Sequence, residues 1–172
     1  MNKISLGSFN TRVIVLFIVL LSTTISVSSA NETSIMPFRQ GSFQQIQRKH
    51  LDQPYIIAFW SETCGYCMKE LALLGKLIKK HPDVGLVTIS TDPFLDEERL
   101  NTILASKNLQ NVEKWVFADR NTARLHTEVG KKWRGELPLT YFFEKNNKKI
   151  KHLGTINEQE LITWFADQSN IH

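Results

Sequence analysis

The run YIIAFW at 55–60 leads, within four residues, to Cys64 and Cys67, the only two cysteines in a chain of 172 residues. Six successive apolar or aromatic residues read as a strand buried on both faces, because a strand with one wet face alternates. From Cys64 the pattern changes to helical period, with Met68, Leu71, Leu74, Leu77 and Ile78 on one side. His81-Pro82-Asp83 ends that helix, since proline cannot continue it, and VGLVTIS at 84–90 is a second buried strand. A buried strand that runs directly into an amphipathic helix and then a second buried strand is the start of an α/β fold.

The rest of the chain extends that pattern. Ser42 with Gln45 reads as a capping box opening a helix to about His50. Helical patterns follow over about Asp96 to Lys107 and Asn121 to Val129, separated by a short strand from Trp115 to Ala118. Leu139–Phe143 and Lys149–Leu153 are the arms of a hairpin around Asn146-Asn147. Asn157 with Glu160 is a second capping box, launching a final helix whose Leu161, Ile162, Trp164 and Phe165 are expected to face the sheet. The expectation is an α/β sandwich with helices flanking a mixed central sheet.

Residues 1–30 differ in character. Lys3 and Arg12 precede the apolar run VIVLFIVLL at 13–21, and Ser28-Ser29-Ala30 places small residues before an expected cleavage site. This is the pattern of a secretory signal, which leaves residues 31–172 as one exported domain. If uncleaved, the segment is a membrane anchor. Its strongly apolar part falls short of the ~20 residues that span a bilayer. Export puts both cysteines in an oxidising compartment. The net charge of +4 is too small for a nucleic-acid footprint. The basic run KNNKKIK at 145–151 reads as a solvated hairpin tip. No glycine-rich phosphate loop is present, and no nucleotide cofactor is implied.

The cysteine spacing excludes several chemistries. Haem attachment requires a histidine after the second cysteine, and position 68 is Met. Structural zinc needs a second ligand pair, but the histidines at 50, 81, 126, 152 and 172 are scattered. A disulfide closing so small a loop removes little chain entropy. A redox pair fits better: Cys64 sits where strand gives way to helix, and helix amides stabilise a thiolate there. Cys67, one turn further in, is expected to be more buried and to keep its proton.

The segment AFWSETCGYC at 58–67, Leu137-Pro138-Leu139-Thr140 before a hairpin, and Gly154 before the last helix resemble the thioredoxin superfamily. Within it the chain is most similar to the exported TlpA/ResA-like branch, with 91–135 matching that branch's strand-helix insertion. The resemblance implies a thioredoxin-like fold with a C-terminal hairpin. It makes Cys64 the attacking thiol and Cys67 the resolving one, with Gly65 and Tyr66 tuning the redox potential. Trp60 is the aromatic beneath the motif. Pro138 is a cis proline opposite the disulfide, where Leu137 backbone groups pair with a substrate peptide. Two positions depart from the pattern. Ala58 stands where thioredoxins carry a buried Asp, leaving the general base unassigned, with Glu62 and Glu136 as the carboxylates considered. Thr63 replaces the tryptophan before the motif, and T-C-G-Y-C matches periplasmic disulfide isomerases.

The resemblance implies an enzyme that reduces disulfides of substrate proteins, apocytochrome c or a copper-site protein among them, with electrons from a membrane thiol reductase. Isomerisation is the alternative suggested by Gly65-Tyr66. A copper-handling role is another, with two thiolates and Met68 as soft ligands. Trp133 is placed near the active face, as a candidate substrate contact.

Overall fold

A computed structural model describes residues 34–169; the leader expected over residues 1–30 lies outside them. The run at 55–60 is a strand, β2 (Tyr55–Trp60), with every residue buried. It sits inside a six-stranded sheet because both of its faces are apolar. Its parallel neighbour is β3 (Gly85–Ser90), and its antiparallel neighbour is β5 (Leu139–Phe143). Beyond β3 lie β4 (Glu113–Phe117) and then an edge strand, β1 (Ile35–Phe38), both parallel. Beyond β5 lies β6 (Lys149–Leu153), the antiparallel hairpin partner at the opposite edge. The order is β1-β4-β3-β2-β5-β6, a mixed sheet as expected.

Strand β1, four residues interrupted by Pro37, is an addition to the elements expected from the sequence. A proline that cannot donate to a ladder is tolerated at a sheet edge, which is where Pro37 lies.

Among the described residues, five helices cover the two faces. On one side α2 (Gly65–Ile78), α3 (Glu97–Ala105) and α5 (Glu158–Ser169) bury Leu71, Leu74, Leu104, Leu161 and Phe165 against Ile56, Ala58 and Trp60. On the other, α1 (Ser42–Lys49) and α4 (Thr122–Val129) bury Phe43, Ile46 and Leu125 against Ile57, Phe59 and Ile89. Alternate residues of β2 thus feed two separate cores, which is why the strand carries no polar position.

Three local expectations need correction. Ser42 is not the N-cap of α1: Gly41 caps it in the left-handed region (φ 90°), without a side-chain cap bond of its own. The orphan amides are met instead by Glu128 of α4, which accepts the Gly41 N–H at 2.8 Å and the Phe43 N–H at 3.0 Å. Ile162 points outward and is 40% exposed, although Leu161 and Phe165 are fully buried. Trp133 is 1% exposed, wedged between Phe59 and His126 in the second core, so it is a packing residue and not a substrate contact. The Asn157–Glu160 box is formed as read, with the Glu160 N–H donating to Asn157 Oδ1 at 2.8 Å.

Candidate active site

Cys64 ends the loop after β2 and is the N-cap of α2. Its backbone is extended, and its Sγ accepts the Cys67 amide N–H at 3.1 Å. Its own N–H donates to the Ser61 carbonyl at 3.1 Å, closing a turn that holds the residue at the helix entrance. The amides of a first helical turn have no intrahelical acceptor, so they favour negative charge on an atom placed among them. Cys64 is half-buried, whereas Cys67 faces inward and is 1% exposed. The two sulfurs are joined as a disulfide. One sulfur is therefore open to a partner and the other is shielded, as the spacing led us to expect.

The remaining residues singled out from sequence collect around this pair. Trp60 ends β2 and lies beneath the motif, 1% exposed. Gly65 and Tyr66 open α2 at the surface, with the Tyr66 ring 64% exposed. The Leu137–Pro138 peptide bond is cis. The Pro138 carbonyl accepts the Gly154 N–H at 2.9 Å, tying the proline loop to the turn after β6. Tyr66, Leu137, Pro138, Gly154 and Thr155 line a shallow hollow of about 280 Å³. All seven expected site residues thus lie at one end of the sheet.

No family model matches the chain. Among solved structures it is similar to a secreted disulfide oxidoreductase of Mycobacterium tuberculosis homologous to E. coli DsbE. That likeness has a TM-score of 0.57 at 20% identity and covers 70% of this chain and 85% of the other. A thioredoxin-family thiol:disulfide interchange protein of Chlorobium tepidum gives 0.58 at 10% identity, covering 71% and 83%. The chain has the thioredoxin fold. A curated relative, a protein disulfide-isomerase of Schizosaccharomyces pombe, is 31% identical over 98 residues, 55% of this chain. The chain spans about a quarter of that relative's length, 24%.

One buried carboxyl stands close to Ala58, on the neighbouring helix. Ala58 of β2 is paired in register with Thr140 of β5, and both face the core that holds Cys67. Glu70 of α2, three residues after Cys67, reaches into this space and is only 5% exposed. Its Oε1 accepts the Thr140 hydroxyl at 2.5 Å, and its Oε2 is buried. Burial pushes the Glu70 carboxyl above the usual carboxylate range, against the opposing pull of the Thr140 hydroxyl, the Ile156 backbone and His152. Residues three apart on a helix are surface neighbours, so Glu70 is adjacent to the shielded cysteine.

Neither carboxylate considered from sequence is placed for that role. Glu62 is exposed and ion-paired to Arg99 Nε at 3.0 Å. Glu136 is exposed and accepts the Arg134 N–H at 2.8 Å; backbone hydrogen bonds hold its carboxyl below the usual range. A signal for Glu70 was present. The inward stripe Cys67, Glu70, Leu71, Leu74 carries one acid among apolar residues, which is rare without a purpose. Met68, the soft ligand of the copper reading, is a residue of α2, half-buried against the core.

Proposed function

We propose that the chain is an exported thiol–disulfide oxidoreductase that reduces disulfides in other proteins through Cys64 and Cys67. The observation that carries this reading is the asymmetry of the pair: a half-buried sulfur among helix amides, joined to a buried one beside a buried carboxyl. In the reduced protein the Cys64 thiolate attacks a substrate disulfide. A mixed disulfide forms and one substrate thiolate leaves. Cys67 passes its proton to Glu70 and attacks Cys64 Sγ, which breaks the mixed disulfide and releases the second substrate thiolate. Two electrons have moved to the substrate, and the Cys64–Cys67 disulfide is the oxidised product. Pro138 and the Leu137 backbone receive an extended substrate segment, whose side chain enters the hollow beside Tyr66.

Export is supported by the leader pattern of residues 1–30 and by the secreted M. tuberculosis neighbour. Among the described residues no helix is long and apolar enough to cross a membrane. The partners that fit are substrate proteins bearing disulfides, with apocytochrome c or copper-site proteins as instances, and a membrane thiol reductase as electron donor. Isomerisation is the second reading, favoured by the disulfide-isomerase relative.

The test is the equilibrium of the Cys64–Cys67 couple with glutathione, alongside insulin reduction and recovery of a scrambled disulfide substrate. A potential near that of thioredoxin, about −270 mV, with insulin turnover supports the reductase. A potential near about −120 mV overturns it in favour of oxidation. Recovery of the scrambled substrate without net reduction favours isomerisation.

A further inference from the structure

The loop that delivers Cys64 to the helix entrance, Ser61-Glu62-Thr63, has no regular structure of its own, yet it is pinned from outside. Asp92, just beyond β3, accepts the Ser61 hydroxyl on Oδ1 at 2.7 Å and the Glu62 backbone N–H on Oδ2 at 2.7 Å. Its Oδ2 also accepts the hydroxyl of the fully buried Ser90 at 3.2 Å, and the Ser90 hydroxyl accepts the Asp92 N–H at 3.2 Å. The carboxylate is thereby fixed against β3 before it reaches across to the loop. The Ser61 hydroxyl contacts Thr63 Oγ1 at 3.1 Å, and the Ser61 carbonyl accepts the Cys64 N–H. Charge-assisted hydrogen bonds of this length are about twice as strong as neutral ones. A chain of direct bonds therefore connects Asp92 to the residue carrying the open sulfur.

We propose that Asp92 is a positioning residue for Cys64, clamping Ser61 and Glu62 so that the sulfur stays among the first amides of α2. Its effect is on geometry and charge together, and the two have opposite signs. The clamp keeps the sulfur where amides stabilise a thiolate, whereas the negative charge nearby disfavours one. This rests on the reading of Cys64 as the attacking thiol.

The experiment is the pH dependence of Cys64 alkylation in the reduced full chain, for wild type, Asp92→Ala and Asp92→Asn, with a thermal melt of each. Asn keeps an acceptor for the Glu62 N–H and a polar contact to Ser61 but carries no charge. Asp92→Ala is expected to move the alkylation midpoint upward by about one pH unit, part of the lowering that a helix terminus supplies. Asp92→Asn is expected to leave it unchanged or move it downward. A purely structural role would lower the melting temperature of both variants and leave both midpoints at the wild-type value; that result overturns the proposal, as does an upward shift in Asn equal to that in Ala. If Asp92→Ala fails to fold, Ser61→Ala, which removes one arm of the clamp, is expected to shift the midpoint upward by a smaller amount, and no shift there overturns the proposal. A wild-type midpoint equal to that of free cysteine refutes instead the role of Cys64 on which the proposal rests.

Discussion

Replacing Glu70 by Gln separates the two things a buried carboxyl does. The amide keeps an oxygen for the Thr140 hydroxyl, 2.5 Å away, and removes only the ability to ionise. Burial raises the Glu70 pKa above its ordinary 4.5, so the folded protein binds that proton more tightly than the unfolded chain. The associated stability is fully present below the unfolded value and is lost as pH rises through the folded one. Each pH unit in that window is worth about 1.4 kcal/mol. Glu70→Gln has no such loss, so the stability of the variant minus that of wild type grows with pH above about 4.5 and levels off once wild-type Glu70 is ionised. Urea unfolding of the oxidised proteins at several pH values measures that difference. The same variant cannot take the Cys67 proton, so the resolving step is expected to slow by about 10²–10⁴-fold, the usual contribution of a positioned general base. Rapid-quench trapping would then show the mixed disulfide accumulating. A pH-independent stability difference, together with wild-type resolution kinetics, would refute the reasoning for Glu70.

Two further perturbations probe the scaffold. Gly75 lies in α2 where an added Cβ would come 1.8 Å from the Lys107 carbonyl oxygen, whereas at Gly65 it would meet nothing within 4 Å. Gly75→Ala is expected to cost about 2 kcal/mol or more in urea unfolding, because the obstacle is backbone. Gly65→Ala should stay within about 0.5 kcal/mol of wild type or exceed it. Glu113 responds to pH in the sense opposite to Glu70. Burial alone would raise its pKa, but hydrogen bonds from His50, Lys49 and Trp115 outweigh that and bring it from 4.5 down to about 2. Its stabilisation is present above pH 4.5 and lost as pH falls toward 2. Glu113→Gln is expected to lose about 3 kcal/mol at pH 7 and little near pH 2.

What could be read from the sequence was what local pattern encodes. The uniform YIIAFW run announced a central strand, and the change of period at Cys64 announced the helix that caps it. The hairpin and the Asn157–Glu160 box rest on residues adjacent in the chain, and both formed. Some of the failures depend on residues far apart in sequence, and others on a local turn or an edge position. The cap of α1 comes from Glu128, more than eighty residues on, and no local motif encodes that. Strand β1 is short and carries a proline that only an edge position permits. Trp133 stands five residues before Pro138, yet the left-handed Gly135 (φ 97°) lies between them, and the indole turns into the core to donate to the Glu136 carbonyl at 2.8 Å. Glu70 is an acid on an apolar stripe, but its partner is set by the register of β2 against β5, which places Thr140 beside Ala58.

The division of labour between the two sulfurs is tested most directly by trapping. Reduced Cys67→Ala and Cys64→Ala proteins are each mixed with a disulfide-bonded protein substrate, and the covalent adducts are counted by mass. Cys67→Ala is expected to accumulate a one-to-one adduct through Cys64 that added dithiothreitol releases, and Cys64→Ala to form almost none, because Cys67 is 1% exposed. Equal adduct yields from both variants, or none from Cys67→Ala, would contradict it.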